Sequence, residues 1–266
     1  MSIEIPLFHV DAFTDRVFSG NPAAVCPLEH WLNDTQLQSI AAENHLSETA
    51  FFVRKNGHYE LRWFTPNMEI DLCGHATLAS AFVILNYVNP SIDSVNFKTK
   101  SGDLSVIRKG EYLSMDFPSR EPNPCAPPED LIKALGIRPR EVLVSRDYMA
   151  VYDTEDEIKA LEPDMTILQK LDRFGIIVTS SARDVDFVSR FFAPQAGIQE
   201  DPVTGSAHCT LIPYWSKKLS KTSLHALQLS PRGGKLFCEY HGDRVVISGR
   251  SALYSKGTIF IRHLSN

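Results

Sequence analysis

Apolar and polar residues alternate through Pro6-Leu7-Phe8-His9-Val10-Asp11-Ala12-Phe13 roughly as in a half-buried strand. Ser19-Gly20-Asn21-Pro22 interrupts the pattern as a turn, and Ala23-Ala24-Val25-Cys26 reads as the next strand. The period then changes. Asn33 has N-cap chemistry with Gln36 three residues on, and Leu37, Ile40 and Ala41 give a helix to about Asn44 its buried stripe. Strand-like runs follow at residues 49–53 and 59–64, and Asn56-Gly57 between them signals a hairpin. Residues 75–87 are apolar nearly all round, which predicts a buried helix rather than a surface one. Residues 95–117 read as further strands, with turns at Ser101-Gly102 and Lys109-Gly110.

Prolines 118, 122, 124, 127 and 128 then crowd the chain, as in a stiff linker. They set the expected domain boundary: residues 1–118 form one domain and 119–266 a second, with the last strand, near 255–266, packing on the first. In the second half, residues 128–135, 155–161 and 165–171 read as short helices. Residues 174–179 and 185–192 read as strands, and a second apolar helix is expected from about Ser206 to Lys217. Residues 227–262 read as strands joined at Arg232-Gly233-Gly234, His241-Gly242-Asp243 and Lys256-Gly257.

The halves repeat one another. Phe64-Thr65-Pro66, then Gly74-His75-Ala76, then an apolar helix match Phe192-Ala193-Pro194, then Gly205-Ser206-Ala207, then an apolar helix. Shared order and shared flanking elements point to duplication. Two such halves are expected to face one another across a cleft, each presenting a helix N-terminus, whose amide donors and dipole favour an anion. That predicts a small carboxylate-bearing substrate.

A net charge of −5 excludes a basic nucleic-acid footprint. No apolar run is long enough to span a bilayer, and the first residues lack the form of a secretory signal. The five cysteines are odd in number and scattered, which suits a reducing, cytoplasmic setting better than a disulfide framework. No Cys/His cluster has ligand spacing, so no metal site is expected. No dinucleotide fingerprint, P-loop or nucleophile elbow is present, which leaves acid/base chemistry without a cofactor.

Three places carry candidate chemistry. Glu48, in Leu46-Ser47-Glu48-Thr49-Ala50-Phe51, stands at the mouth of an apolar strand, where partial desolvation favours proton transfer; the alternative is a solvated loop glutamate. His75, in Cys73-Gly74-His75-Ala76-Thr77, stands at a helix start, either handling a proton or capping its own helix. Glu200-Asp201-Pro202-Val203-Thr204-Gly205-Ser206-Ala207 offers two carboxylates, a glycine for close approach and a serine for capping, or simply an ordinary capped helix. His208 and Cys209 read as packing or supporting residues. Arg232 either reaches an anion or lies in a plain turn.

Together with Phe8-His9-Val10-Asp11-Ala12-Phe13 and Ser19-Gly20-Asn21-Pro22-Ala23, these motifs resemble the PhzF family, the phenazine-biosynthesis-like isomerases, over essentially the whole chain. The resemblance implies an α+β fold of two pseudo-symmetric domains of the diaminopimelate epimerase type. Each is a rolled, mostly antiparallel sheet around a central helix, with the site between them. It implies Glu48 as the catalytic acid/base, substrate contacts from His75, Asp201 and Ser206, and backbone amides from Gly74 and Gly205. It further implies a homodimer and neither metal nor organic cofactor. Related epimerases use two cysteines; here Cys73 fits the first place and Thr204 holds the second. An epimerase or racemase, and a non-catalytic metabolite-binding protein on the same fold, stay open as alternatives.

Overall fold

The computed structural model describes residues 2–262. The chain divides into two compact units, Met1–Met115 with Gly249–Asn266, and Asp116–Ser248.

In the first unit, β1 (Ser2–Ala12) pairs antiparallel with β2 (Asn21–Leu28). β2 runs parallel to β3 (Glu48–Lys55), and the crossover between them is α1 (Asp34–Asn44). A parallel pair needs such a crossover, because a tight turn only reverses the chain. Asn33 caps α1 as expected, its side chain accepting from the Gln36 amide at 2.9 Å. β3 turns through Asn56-Gly57 into β4 (His58–Phe64). Both turn residues have positive φ, the conformation for which that pair is favoured. A two-residue strand, β5 (Glu69–Ile70), leads to α2 (Gly74–Val83), whose last turn widens into a π-type turn at Ile84–Val88. β6 (Ser94–Thr99), β7 (Gly102–Lys109) and β8 (Tyr112–Pro118) complete an antiparallel meander.

Helix α2 is the unit's centre. His75 through Ala81 are all buried, and the helix packs on β1, β2 and β3. Phe51, Phe64, Ile5 and Cys26 pack against the Leu37, Ile40 and Ala41 face of α1. Six successive residues of β3, 48–53, are buried, which a strand achieves only when both faces are covered.

The second unit repeats this plan. β9 (Asn123–Pro124), α3 (Glu129–Leu135), β10 (Glu141–Val144) and β11 (Tyr148–Val151) are followed by α4 (Glu155–Ala160) and α5 (Met165–Leu168). Then come β12 (Ile176–Ser181), β13 (Phe187–Phe192), α6 (Gly205–Leu219), β14 (Ser223–Gln228), β15 (Gly234–Tyr240) and β16 (Arg244–Gly249). β11 runs parallel to β12 as β2 does to β3, and β13 parallel to β14 as β4 does to β6. The ladders also agree in register. Thr49 faces Phe64 and Ile176 faces Phe192, so Gly175 takes the place of Glu48. Helices α3 to α5 cover an outer core around Tyr152, Ile158, Leu168 and Phe192. On α6, the Trp215 ring stacks on Phe187 and its indole N–H donates to Thr179 at 2.9 Å. Pro213 lies inside α6 and has no N–H for the Cys209 carbonyl; the amide of Arg120 donates to it instead, at 2.9 Å.

Several expectations are corrected. The proline-rich stretch is not a free linker: it forms β9 on β10, and Pro128 stands at the start of α3. The division between units falls inside β8, after Met115, rather than at residue 118. Lys256-Gly257 is no turn. The final strand, β17 (Ser251–Arg262), runs straight through it and pairs with β1, while residues 263–266 lie outside the described residues. β10 and β11 were not foreseen, being four residues long and, in β11, buried throughout without alternation. No helix among the described residues is long and apolar enough to cross a membrane.

Candidate active site

Glu48 opens β3 beside Ala23 of β2 and is 6% exposed. His75 is the second residue of α2 and is 5% exposed. The sheet and its central helix therefore bring together two side chains that the sequence keeps 27 residues apart, and neither is the solvated or surface group of the bland alternative. His75 Nε2 lies 3.0 Å from Glu48 Oε2. The two atoms are buried, miss hydrogen-bond alignment, and have no other hydrogen-bond partner among the described residues. On the other side of the ring, Nδ1 lies 3.1 Å from Asn21 Nδ2 and 3.5 Å from Cys73 Sγ.

Burial opposes charge on His75, but Cys73 and Glu48 beside it outweigh burial and hold the imidazole well above its ordinary range. Burial, then the neighbouring Glu48, pushes the Cys73 thiol up. Ligand-type atoms of Glu48, Cys73 and His75 gather within 4.8 Å, although their sequence spacing gave no hint of a cluster. Glu48 and Cys73 approach different nitrogens of the ring, Nε2 and Nδ1.

In the second unit, the N-cap of α6 is Thr204, and the helix begins at Gly205. Ser206 is therefore inside the first turn and does not cap, contrary to expectation. It is partly exposed, and its hydroxyl makes no hydrogen bond among the described residues. The Thr204 hydroxyl is turned away from the helix and donates to Asp201 Oδ2 at 2.5 Å. Gln228 of β14 fixes this loop: its Oε1 accepts from the Thr204 amide at 2.9 Å and its Nε2 donates to the Asp201 carbonyl at 2.7 Å. Ser230 adds a hydrogen bond to the Pro202 carbonyl at 2.8 Å. His208 is fully buried, with Nδ1–H donating to the Thr204 carbonyl at 2.8 Å, and burial pushes it down to about 4. It is a neutral packing residue, as is Cys209, whose thiol burial pushes up to about 11. Arg232 lies in the turn between β14 and β15.

Neither α2 nor α6 has a side-chain cap, so the first-turn amides, with Gly74 and Gly205 at their heads, are left without one of their usual acceptors. Such a helix start takes an anion readily. Among the predicted residues, the first unit groups Glu48, Gly74 and His75, and the second groups Asp201, Gly205 and Ser206. Sequence reasoning assigned no role to Asn21 or Gln228. Asn21 had a signal, as the residue after a turn glycine that opens a strand; Gln228 had none.

A sheet rolled around a buried helix, twice over, with an acid–imidazole contact at one helix start, defines a class shared with known proteins. A family model described as phenazine biosynthesis-like protein, PhzC-PhzF, matches residues 10–257. An uncharacterized isomerase of Pseudomonas aeruginosa is 53% identical over 97% of this chain and 100% of its own length. The crystal structure of a PhzF-family phenazine biosynthesis protein from Enterococcus faecalis has a TM-score of 0.95 at 48% identity, covering 97% of this chain and all of that one. A hydroxyproline epimerase from Agrobacterium vitis, at 10% identity and a TM-score of 0.65, covers 97% of this chain and 93% of its own and shares the fold alone, of the diaminopimelate epimerase type. The chain belongs to the PhzF family of phenazine biosynthesis-like proteins.

Proposed function

We propose that this protein is a cofactor-independent isomerase that moves a proton within a small carboxylate-bearing metabolite, with Glu48 as the acid/base. The observation that carries this reading is the buried Glu48 carboxyl, 3.0 Å from His75 Nε2 and not yet aligned in a hydrogen bond. Catalytic contacts are often loose without substrate and tighten around it. In this reading Glu48 Oε2 removes a proton from one substrate carbon and returns it to another. The open amides at the start of α2 receive the substrate's carboxylate. Names of relatives as isomerases support the reaction class. Cys73 has Thr204 rather than a cysteine as its counterpart in the duplicated plan, which supports a carboxylate mechanism over a two-thiol epimerase.

The test is incubation of small cyclic and amino carboxylates in deuterated water with the intact protein. Deuterium enters the substrate carbon, or an isomer forms, and Glu48→Gln abolishes it. A Glu48→Gln protein with full turnover on a confirmed substrate would defeat the assignment.

A further inference from the structure

We infer that Asn21 is a positioning residue for His75, an amide that serves both protonation states of the ring by turning over, and so decides which nitrogen carries the proton. Asn21 opens β2 and is fully buried. The chain is made to deliver it there. Gly20 has φ +68°, and a Cβ on it would stand 2.2 Å from the Ala12 carbonyl oxygen, so only glycine fits this turn. Asn21 then faces Ala12 at the end of the β1–β2 ladder.

The side chain places its Nδ2 group 3.1 Å from His75 Nδ1. With Nδ2 toward the ring, its N–H donates to a bare Nδ1, the contact that suits a singly protonated ring carrying its proton on Nε2, the nitrogen that faces Glu48. When the ring takes a second proton, Nδ1–H becomes a donor and would meet another donor. A half-turn of the carboxamide presents Oδ1 in place of Nδ2 and restores the contact. Asparagine is suited to this because it carries both functions at nearly equal reach and no charge. Aspartate can only accept, which would lock the doubly protonated ring. Leucine matches the shape and does neither.

The titratable groups facing His75 are Glu48 of β3 and Cys73 just before α2. Asp11 of β1 accepts from the Phe18 amide, Cys26 of β2 belongs to the outer core against α1, and Tyr254 and Lys256 of β17 are exposed. Asn21 is thus the uncharged control on a ring whose charge the other two favour.

The experiment records the ring nitrogens of His75 by NMR on the full chain, labelled with nitrogen-15 histidine, from pH 5 to 10, with His75→Gln identifying the signal. In the wild type the neutral ring carries its proton on Nε2. Asn21→Asp moves the His75 midpoint up by about one unit or more, as expected for an added negative neighbour. Asn21→Leu moves it down and leaves the neutral ring a mixture of tautomers. A wild-type ring protonated on Nδ1 when neutral overturns the inference, as do variants that titrate like the wild type. The wild-type spectrum decides even if a variant fails to fold. This inference deepens the Glu48–His75 reading, but the spectrum is independent of turnover. Absence of exchange with every carboxylate would remove the isomerase reading and leave the His75 result standing.

Discussion

Oε2 of Glu48 and Nε2 of His75 lie 3.0 Å apart with both side chains more than nine-tenths buried. Because His75 is held above its ordinary value of 6.5, it binds its proton more tightly folded than unfolded. The stabilisation is therefore fully present below about pH 6.5 and is lost as pH rises through the folded value. Replacing Glu48 by Gln removes one cause of the rise. The stability of wild type relative to Glu48→Gln should fall between pH 6 and pH 10, by about 1.4 kcal/mol for each unit by which Glu48 raises His75. Urea unfolding at the two values measures it, and a difference independent of pH would contradict the coupling.

His208 gives the opposite slope. Its value falls from 6.5 to about 4 because it is buried, with only the Thr204 carbonyl to oppose that. The unfolded chain takes up this proton first as pH drops, so stability present above pH 6.5 drains away toward pH 4, by on the order of 3 kcal/mol. His208→Gln should lose most of that limb in acid unfolding relative to the wild type. An identical acid limb in both proteins would show that His208 does not titrate as its burial dictates.

Two glycines should respond in opposite directions to alanine. Gly20 combines a positive φ with a carbonyl oxygen 2.2 Å from where a Cβ would stand. Gly20→Ala should cost roughly 1–3 kcal/mol or more, and disturb Asn21 as well. Gly257 lies extended in β17 with nothing within 4 Å of its absent Cβ. Gly257→Ala should be neutral or stabilise by about 0.4–1 kcal/mol, through the unfolded chain alone. Thermal unfolding of both variants would settle the comparison.

Pro213 in the interior of α6 ought to be a liability of about 3 kcal/mol relative to alanine. The Cys209 carbonyl it strands is instead met by the Arg120 amide. Pro213→Ala would supply a second donor to an acceptor already served, so we expect a gain well under that general figure, about 1 kcal/mol or less. A gain of the full amount would mean that the Arg120 contact contributes little in solution.

What could be read from the sequence followed from local chemistry. Asn33 caps α1 and Asn56-Gly57 turns the hairpin because those side chains act on their immediate neighbours. The apolar stretch after Gly74 had nowhere to go but the core. Glu48 and His75 could be singled out by motif, but not their contact. Asn21 reaches His75 across 54 residues, and Gln228 reaches Thr204 across 24, and such meetings are set by strand register, which no local pattern encodes. β10 and β11 escaped for a related reason: a short strand covered on both faces shows no alternation to find.

The agreement in register between the units has a one-sided outcome. Where the first copy sets Glu48 at the mouth of its strand, the second has Gly175, and a Cβ there would run into the Phe191 ring at 2.3 Å. A glutamate at position 175 would fit only if Phe191 were trimmed as well. The aromatic ring thus holds the two copies apart at this register position: the same place carries a carboxyl in one and is closed to any side chain in the other.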